Sequence, residues 1–310
     1  MTIECGKPIW VSVPPRQSDL MILFMQTLLF GIFAGSIYGI AAMGLALVFG
    51  VLKVLNIAHG ELVMIGGYIG FWAFIALGLD PFISLVIVIP ALFIFGIVLD
   101  RVLYRHIVLL PEEDKIKNSL LVSFGLGLVL QNLALWVFTG DERSVQPSYA
   151  GDGFNIYGVV LPYTRLMTLA VVLVVAFALH LFLRKTYPGK AILATAEDYE
   201  AAELAGINIK RVYMLTFALG GALAGVAGQF VTFTYALSPN IGMLWTLNAL
   251  IVIVLAGTGS ILGALPAGIL LGVVESLAGA YIAQTYKEVI GLVLFLAVLI
   301  LRPQGLFVRK

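Results

Sequence analysis

Apolar residues gather in long blocks, at 20–52, 62–79, 82–100, 119–138, 163–183, 212–236, 243–282 and 288–301. About 20 residues of helix cross roughly 30 Å of hydrocarbon, so most of these blocks are single membrane spans. Two are too long for that. Block 20–52 contains Gly31, Gly35-Ser36 and Gly39, which offer a place to break, and block 243–282 divides near Gly257-Thr258-Gly259-Ser260. The pattern predicts eight full spans, with one or two extra broken or re-entrant pieces. Strands of about ten residues alternating apolar and polar would mark an outer-membrane barrel, and none is present. The predicted fold is all-α, a polytopic helical membrane protein: a polar extension over 1–19, then one transmembrane domain over 20–310.

Composition agrees. Of 310 residues, 61% are hydrophobic and 11% charged, against about 25% charged in soluble domains. Disorder and a disulfide scaffold are excluded by the same numbers and by the lone Cys5. A net charge of +1 gives no reason to expect nucleic acid. Residues 1–19 hold Glu4, Lys7, Arg16, Asp19 and three prolines, with no apolar core before a cleavage site, so they do not read as a signal peptide. Arg101, Arg105, Lys115 and Lys117, then Arg184, Lys185, Lys190, Lys210 and Arg211, then Arg302, Arg309 and Lys310 make twelve of the 18 basic residues. They place segments 101–118 and 184–211 and the C-terminus in the cytoplasm. The N-terminus joins them if block 20–52 crosses twice. Loop 139–162 is then external, either a docking surface or a plain connector.

The most informative polar stretch is Thr195–Gly206. Thr195 can cap a helix with Glu197 and Asp198 in its first turn, and Gly206 suits the residue just past its end. One short amphipathic helix over 195–206, facing the cytosol between two spans, is the expectation. Glu200-Ala201-Ala202 followed by Gly206 resembles the E-A-A-x-x-x-G element of ABC importer permeases, although an ordinary loop helix has the same composition. Four further pieces are more specific. Asn56-Ile57-Ala58-His59-Gly60-Glu61 resembles the N-[FIM]-A-H-G-E signature of branched-chain amino acid permeases. Gly189-Lys190-Ala191, Ala196-Glu197-Asp198 and Gly206-Ile207-Asn208 are similar to that family's cytoplasmic loop. Gly257-Thr258-Gly259-Ser260 with Gly263-Ala264 resembles its G-x-G-S-x-x-G-A element, and Leu301–Phe307 its L-x-P-x-G-[LI]-[FL] ending. The chain looks like the smaller of the two permeases of such systems, with Thr258 and the long 1–19 extension as departures.

The resemblance implies a second homologous permease, two cytoplasmic ATPase subunits, an external solute-binding protein and a bacterial-type inner membrane. It makes Ala196, Glu197, Asp198, Glu200, Ala201, Ala202 and Gly206 the ATPase-coupling residues. No G-x-x-x-x-G-K-[ST] loop is present, so ATP is expected to be used by the partners, with no cofactor on this chain. The implied cargo is branched-chain or other small hydrophobic amino acids; urea, short amides or a broader amino-acid range fit the same fold. An ion-driven transporter or channel would need a carboxylate relay, for which Glu61 and Glu275 are the available groups.

Asn56, His59 and Glu61 lie between two apolar runs, either lining a substrate path at a broken helix or ending two helices at the membrane surface. Gly257, Gly259, Ser260 and Gly263 either expose N–H groups to a solute carboxylate or allow close packing. Gln131, Asn132, Gln229, Asn248 and Glu275 are isolated polar residues inside apolar runs. His59, His106, His180 and Cys5 are too scattered in sequence to suggest a metal site, and no nucleophile arrangement is indicated.

Overall fold

The computed structural model describes residues 17–108, 110–257 and 259–307. Every long apolar block is helical, which satisfies backbone groups that lipid cannot. In order these are α1 (Gln17–Leu52), α2 (His59–Leu77) and α3 (Leu85–Leu99), which runs through a π-helical turn (Asp100–Tyr104) into α4 (Arg105–Ile107). There follow α5 (Glu112–Phe138), a hairpin of β1 (Gly153–Ile156) and β2 (Val159–Pro162), α6 (Tyr163–Lys185), α7 (Tyr187–Glu197) and α8 (Tyr199–Leu204). The chain closes with α9 (Ile209–Thr234), α10 (Gly242–Ala256), α11 (Ala264–Tyr281), a 3-10 turn (Gln284–Tyr286) and α12 (Lys287–Leu301). Among the described residues eight helices are long and apolar enough to cross a membrane, and α10 is a shorter apolar one. The expected division of block 243–282 falls between α10 and α11.

Block 20–52 does not break. It is part of one helix of 36 residues, about 54 Å long at roughly 1.5 Å per residue. Its glycines face α11 at backbone contact. A Cβ on Gly35 would lie 2.5 Å from the Gly268 carbonyl oxygen, and one on Gly272 would lie 2.4 Å from the Gly35 Cα. Between apolar helices in lipid, small residues hold a pair together by letting the backbones approach.

The condition on which the N-terminus was expected to join the C-terminus, two crossings in block 20–52, is not met: α1 runs the length of the bundle once. Gln26 exchanges hydrogen bonds of 2.7 and 2.8 Å with the Val160 backbone in the hairpin. The other end of α1, at Val51 and Leu52, borders Thr195–Glu200. The C-terminal tail is at that second end, with Leu306 and Phe307 donating to the Leu255 and Ala256 carbonyls. The start of α1 and the tail therefore lie at opposite ends of the bundle. Residues 1–16, with Cys5, are outside the described part.

Helix α9 is the axis, buried along nearly its whole length. Gly66 of α2 and Gly96 of α3 pack on it so closely that a Cβ on either would come within 2.7 Å of α9 backbone. On the periphery, Trp136 of α5 and Ile300 of α12 are among the large apolar side chains left exposed, as lipid-facing positions are.

Candidate translocation and coupling sites

The cytoplasmic-type segment is two helices where one was expected. Thr186 caps α7, accepting from the Gly189 N–H at 3.1 Å, and Pro188 sits in its first turn. That earlier start leaves Thr195 inside α7, buried, with its hydroxyl on the Ala191 carbonyl. Asp198 then leaves helical geometry and caps α8, accepting from the Glu200 and Ala201 N–H groups at 3.0 Å each. Consequently Ala196 and Glu197 end α7 while Glu200, Ala201 and Ala202 belong to α8. Gly206 is the residue past the end, as expected. At φ +85° it donates to the Glu203 carbonyl while Ile207 donates to the Ala202 carbonyl, the Schellman arrangement that only glycine enters without strain. Asn208 caps α9 through the Arg211 N–H. Ala202 is the buried face of α8, and Leu204 is 91% exposed.

Asn56, His59 and Glu61 are all buried in the bundle. After α1 ends, residues 53–58 run back inward without helix, and α2 begins where His59 Nε2 bonds the Ala41 carbonyl at 2.9 Å, about three turns from the end of α1. Non-helical backbone at that depth needs partners from side chains. Ser119 and Ser123 of α5 accept from the Leu55 and Ile57 N–H groups. Thr246 of α10 donates to the Ile57 carbonyl at 2.7 Å and accepts from the Gly60 N–H at 2.8 Å. Tyr104, swung inward by the π-turn, donates to Asn56 Oδ1 at 3.0 Å. The first turns of α2 and α10 touch here, and the Glu61 carboxylate lies against Gly242, where a Cβ would meet it. Helix N-termini favour an anion at such a place. Asn56 Nδ2 and Glu61 Oε2 are buried without a hydrogen-bond partner. The break is therefore inside the bundle, not at its surface, and Ser119, Ser123, Thr246 and Tyr104 support it.

The structure does not bring the second glycine cluster to this point. Gly257, Gly259, Ser260 and Gly263 sit at the tail end of the bundle. Ser260 Oγ donates to the Phe307 carbonyl at 3.2 Å, and a Cβ on Gly305 would fall 2.3 Å from the Gly257 Cα. Close packing against the tail is what this turn does here; Thr258 is outside the described residues.

At the hairpin end, loop 139–162 is fastened down. Val145 donates to the Thr232 carbonyl, Arg143 pairs with Leu237, and Tyr149 donates to Asp80 Oδ2 at 2.6 Å. Burial and the Asp80 carboxylate push the Tyr149 phenol above its usual range. Beside the hairpin a cavity of about 340 Å3 opens between α1, α6, α9 and α11, lined in part by Tyr38, Arg165, Tyr235, Glu275 and Lys287. Glu275 was marked in the sequence by its isolation in an apolar run and as one of two carboxylates available for a relay. Of the other isolated polar residues, Gln131 donates to Asn240, Asn132 bonds its own helix, and the Gln229 amide is buried without a partner.

Membrane-length helices, a non-helical link buried between α1 and α2 and a capped helix pair at one end are the architecture of a polytopic membrane protein. The comparison with known families is specific: the chain belongs to the family described as branched-chain amino acid transport system / permease component, which matches residues 27–299. It is 34% identical to the high-affinity branched-chain amino acid transport system permease protein LivH of Salmonella typhimurium, over 94% of this chain and 98% of the relative. It is likewise 34% identical to BraD of Pseudomonas aeruginosa, over 92% and 96%. A probable LivH of Methanocaldococcus jannaschii is 26% identical over 86% of each chain. No solved structure matches the chain.

Proposed function

We propose that the chain works in an ATP-driven importer of branched-chain or other small hydrophobic amino acids, as the subunit that couples ATPase motion to the membrane path. The relatives, permeases of branched-chain amino acid transport systems, support the cargo class. The observation that carries the coupling role is α8. It is a one-and-a-half-turn helix fixed at both ends by its own caps, packed through Ala202, and presenting Glu200, Glu203 and the exposed Leu204 outward. An exposed leucine on a rigid charged helix suits the groove of a partner subunit. The partners are a second permease, two ATPases beneath α7–α8, and a solute-binding protein at the hairpin end. Positive charge at the α4, α7 and C-terminal end supports the cytoplasmic assignment, which makes the start of α1 external. Asn56 and Glu61, with His59 holding the start of α2 to α1, would line or gate the path at the helix break.

The test is leucine uptake into proteoliposomes containing the partner subunits, comparing wild type with Glu200→Arg plus Gly206→Pro. Proline cannot adopt φ +85° and removes the Gly206 N–H bond. ATP-dependent uptake that collapses, with weakened ATPase attachment, is expected. Unchanged uptake overturns the coupling role, and uptake without any ATPase overturns the importer class.

A further inference from the structure

The cavity at the hairpin end is explained neither by helix packing nor by coupling. Its volume, about 340 Å3, falls among small-molecule sites, which run from roughly 300 to 1,000 Å3. Three different helices supply its charged lining: Arg165 from α6, Glu275 from α11 and Lys287 from α12. Glu275 is 4% exposed and accepts a hydrogen bond from the Tyr38 hydroxyl at 3.0 Å. Tyr38 in turn lies 3.3 Å from the Tyr235 hydroxyl.

No direct ion pair joins Glu275 to Arg165 or Lys287, although Lys287 is near enough to act on the Glu275 carboxyl through space. The Arg165 guanidinium lies 4.0 Å from the centre of the Phe30 ring, and the Lys287 ammonium 5.7 Å from that of Tyr235. Each cation is held over an aromatic face and leaves the carboxylate that shares its cavity without a direct ionic partner. Groups of both signs that share a cavity without a direct ion pair, where charge is costly, are stabilised by a matching ligand or water. A simple anion would meet Glu275, and a simple cation would meet two positive groups. A small molecule with one charge of each sign at a short separation satisfies all three. Gly272, Gly279, Ala34 and Ala280 make part of the remaining wall, leaving room for a short aliphatic side chain.

We infer that this cavity is a transit subsite for an amino-acid zwitterion, with the ammonium on Glu275 and Tyr38 and the carboxylate on Arg165 and Lys287. The inference rests on the importer reading and adds where the solute pauses. It also separates cargo classes, because urea and amides carry no charge for these groups.

The experiment uses the complete transporter, purified without its solute-binding protein, and measures equilibrium binding of radiolabelled L-leucine. Competition with 4-methylpentanoate, which lacks the ammonium, and isopentylamine, which lacks the carboxylate, is measured alongside. Saturable leucine binding is expected, with each analogue at least tenfold weaker. Glu275→Gln should weaken leucine at least tenfold and leave 4-methylpentanoate unchanged or tighter; Arg165→Gln should weaken leucine and spare isopentylamine. Equal loss of all three ligands would mean a structural effect and would overturn the assignment, as would unchanged leucine binding in both variants. Ala280→Cys in a Cys5→Ala background gives a reading without charge removal: leucine should slow its reaction with an external thiol reagent. No protection, in a preparation that still drives leucine uptake with ATP, sinks the subsite alone. Absence of ATP-driven leucine uptake in the wild type sinks the importer reading instead.

Discussion

The seam between α1 and α11 and the segment α7–α8 both depend on glycine, for opposite reasons. In the seam, Gly31, Gly35, Gly268 and Gly272 are places where a side chain has been removed so that two backbones touch. At Gly206 there is open space, with nothing within 4 Å of a Cβ, and the residue is needed for its backbone angle. The seam draws its stability from shape over many turns, so one added methyl group disturbs it. The α7–α8 segment draws its stability from local caps, so it tolerates loss of one, and its value lies in what it presents.

The strongest way to break that contrast is Gly35→Leu. With backbone atoms 2.5 Å from the first added carbon, the helices must part, at a cost of about 3 kcal/mol or more. Loss of monodisperse protein on size-exclusion chromatography is expected; a normal yield and melting temperature would show that the seam yields easily. Thr246→Val is intermediate. It removes the partner of both the Ile57 carbonyl and the Gly60 N–H, which predicts roughly 1–3 kcal/mol of destabilisation and a lower thermal midpoint. Asp198→Ala should cost only about 1 kcal/mol, the usual worth of an N-cap, yet lower ATP-coupled uptake far more than stability. A fall in both by the same proportion would erase the distinction between the two regions.

The smallest effect lies in the fastened loop 139–162. Because the folded-state Tyr149 phenol is raised above its ordinary value of 10.0, its contribution is present below about pH 10 and is lost as pH rises beyond it. Loop 139–162 should therefore become protease-sensitive at alkaline pH, and Tyr149→Phe should abolish that pH dependence.

The spans and the cut between α10 and α11 are legible from hydropathy, and Gly206 from its position after an alanine-rich run. The grouping of Asn56, His59 and Glu61 is legible too, being local in sequence. The unbroken α1 is not. Glycines in an apolar run serve equally as a break or as a contact, and only α11, distant in sequence, decides between them. Thr195 and Asp198 are both good caps; the earlier start at Thr186 and Pro188 is what demotes Thr195. The hairpin left a trace in Tyr157-Gly158, both at positive φ, which is the two-residue turn such hairpins favour. Ser119, Ser123 and Thr246 look like ordinary small polar residues until the inward run of 53–58 supplies the groups they satisfy. The cavity that joins Arg165, Glu275 and Lys287 arises only when three separate helices close.

Helix α1 passes the cavity at Thr27 and Phe30 and finishes beside α7–α8, at Val51 and Leu52. It has no hinge in between, and backbone contact binds it to α11, which carries Glu275. The pair therefore behaves as a connecting rod. A displacement delivered at the α7–α8 end has no joint in α1 in which to dissipate, and the cavity wall at Thr27–Tyr38 lies farther along the same rod.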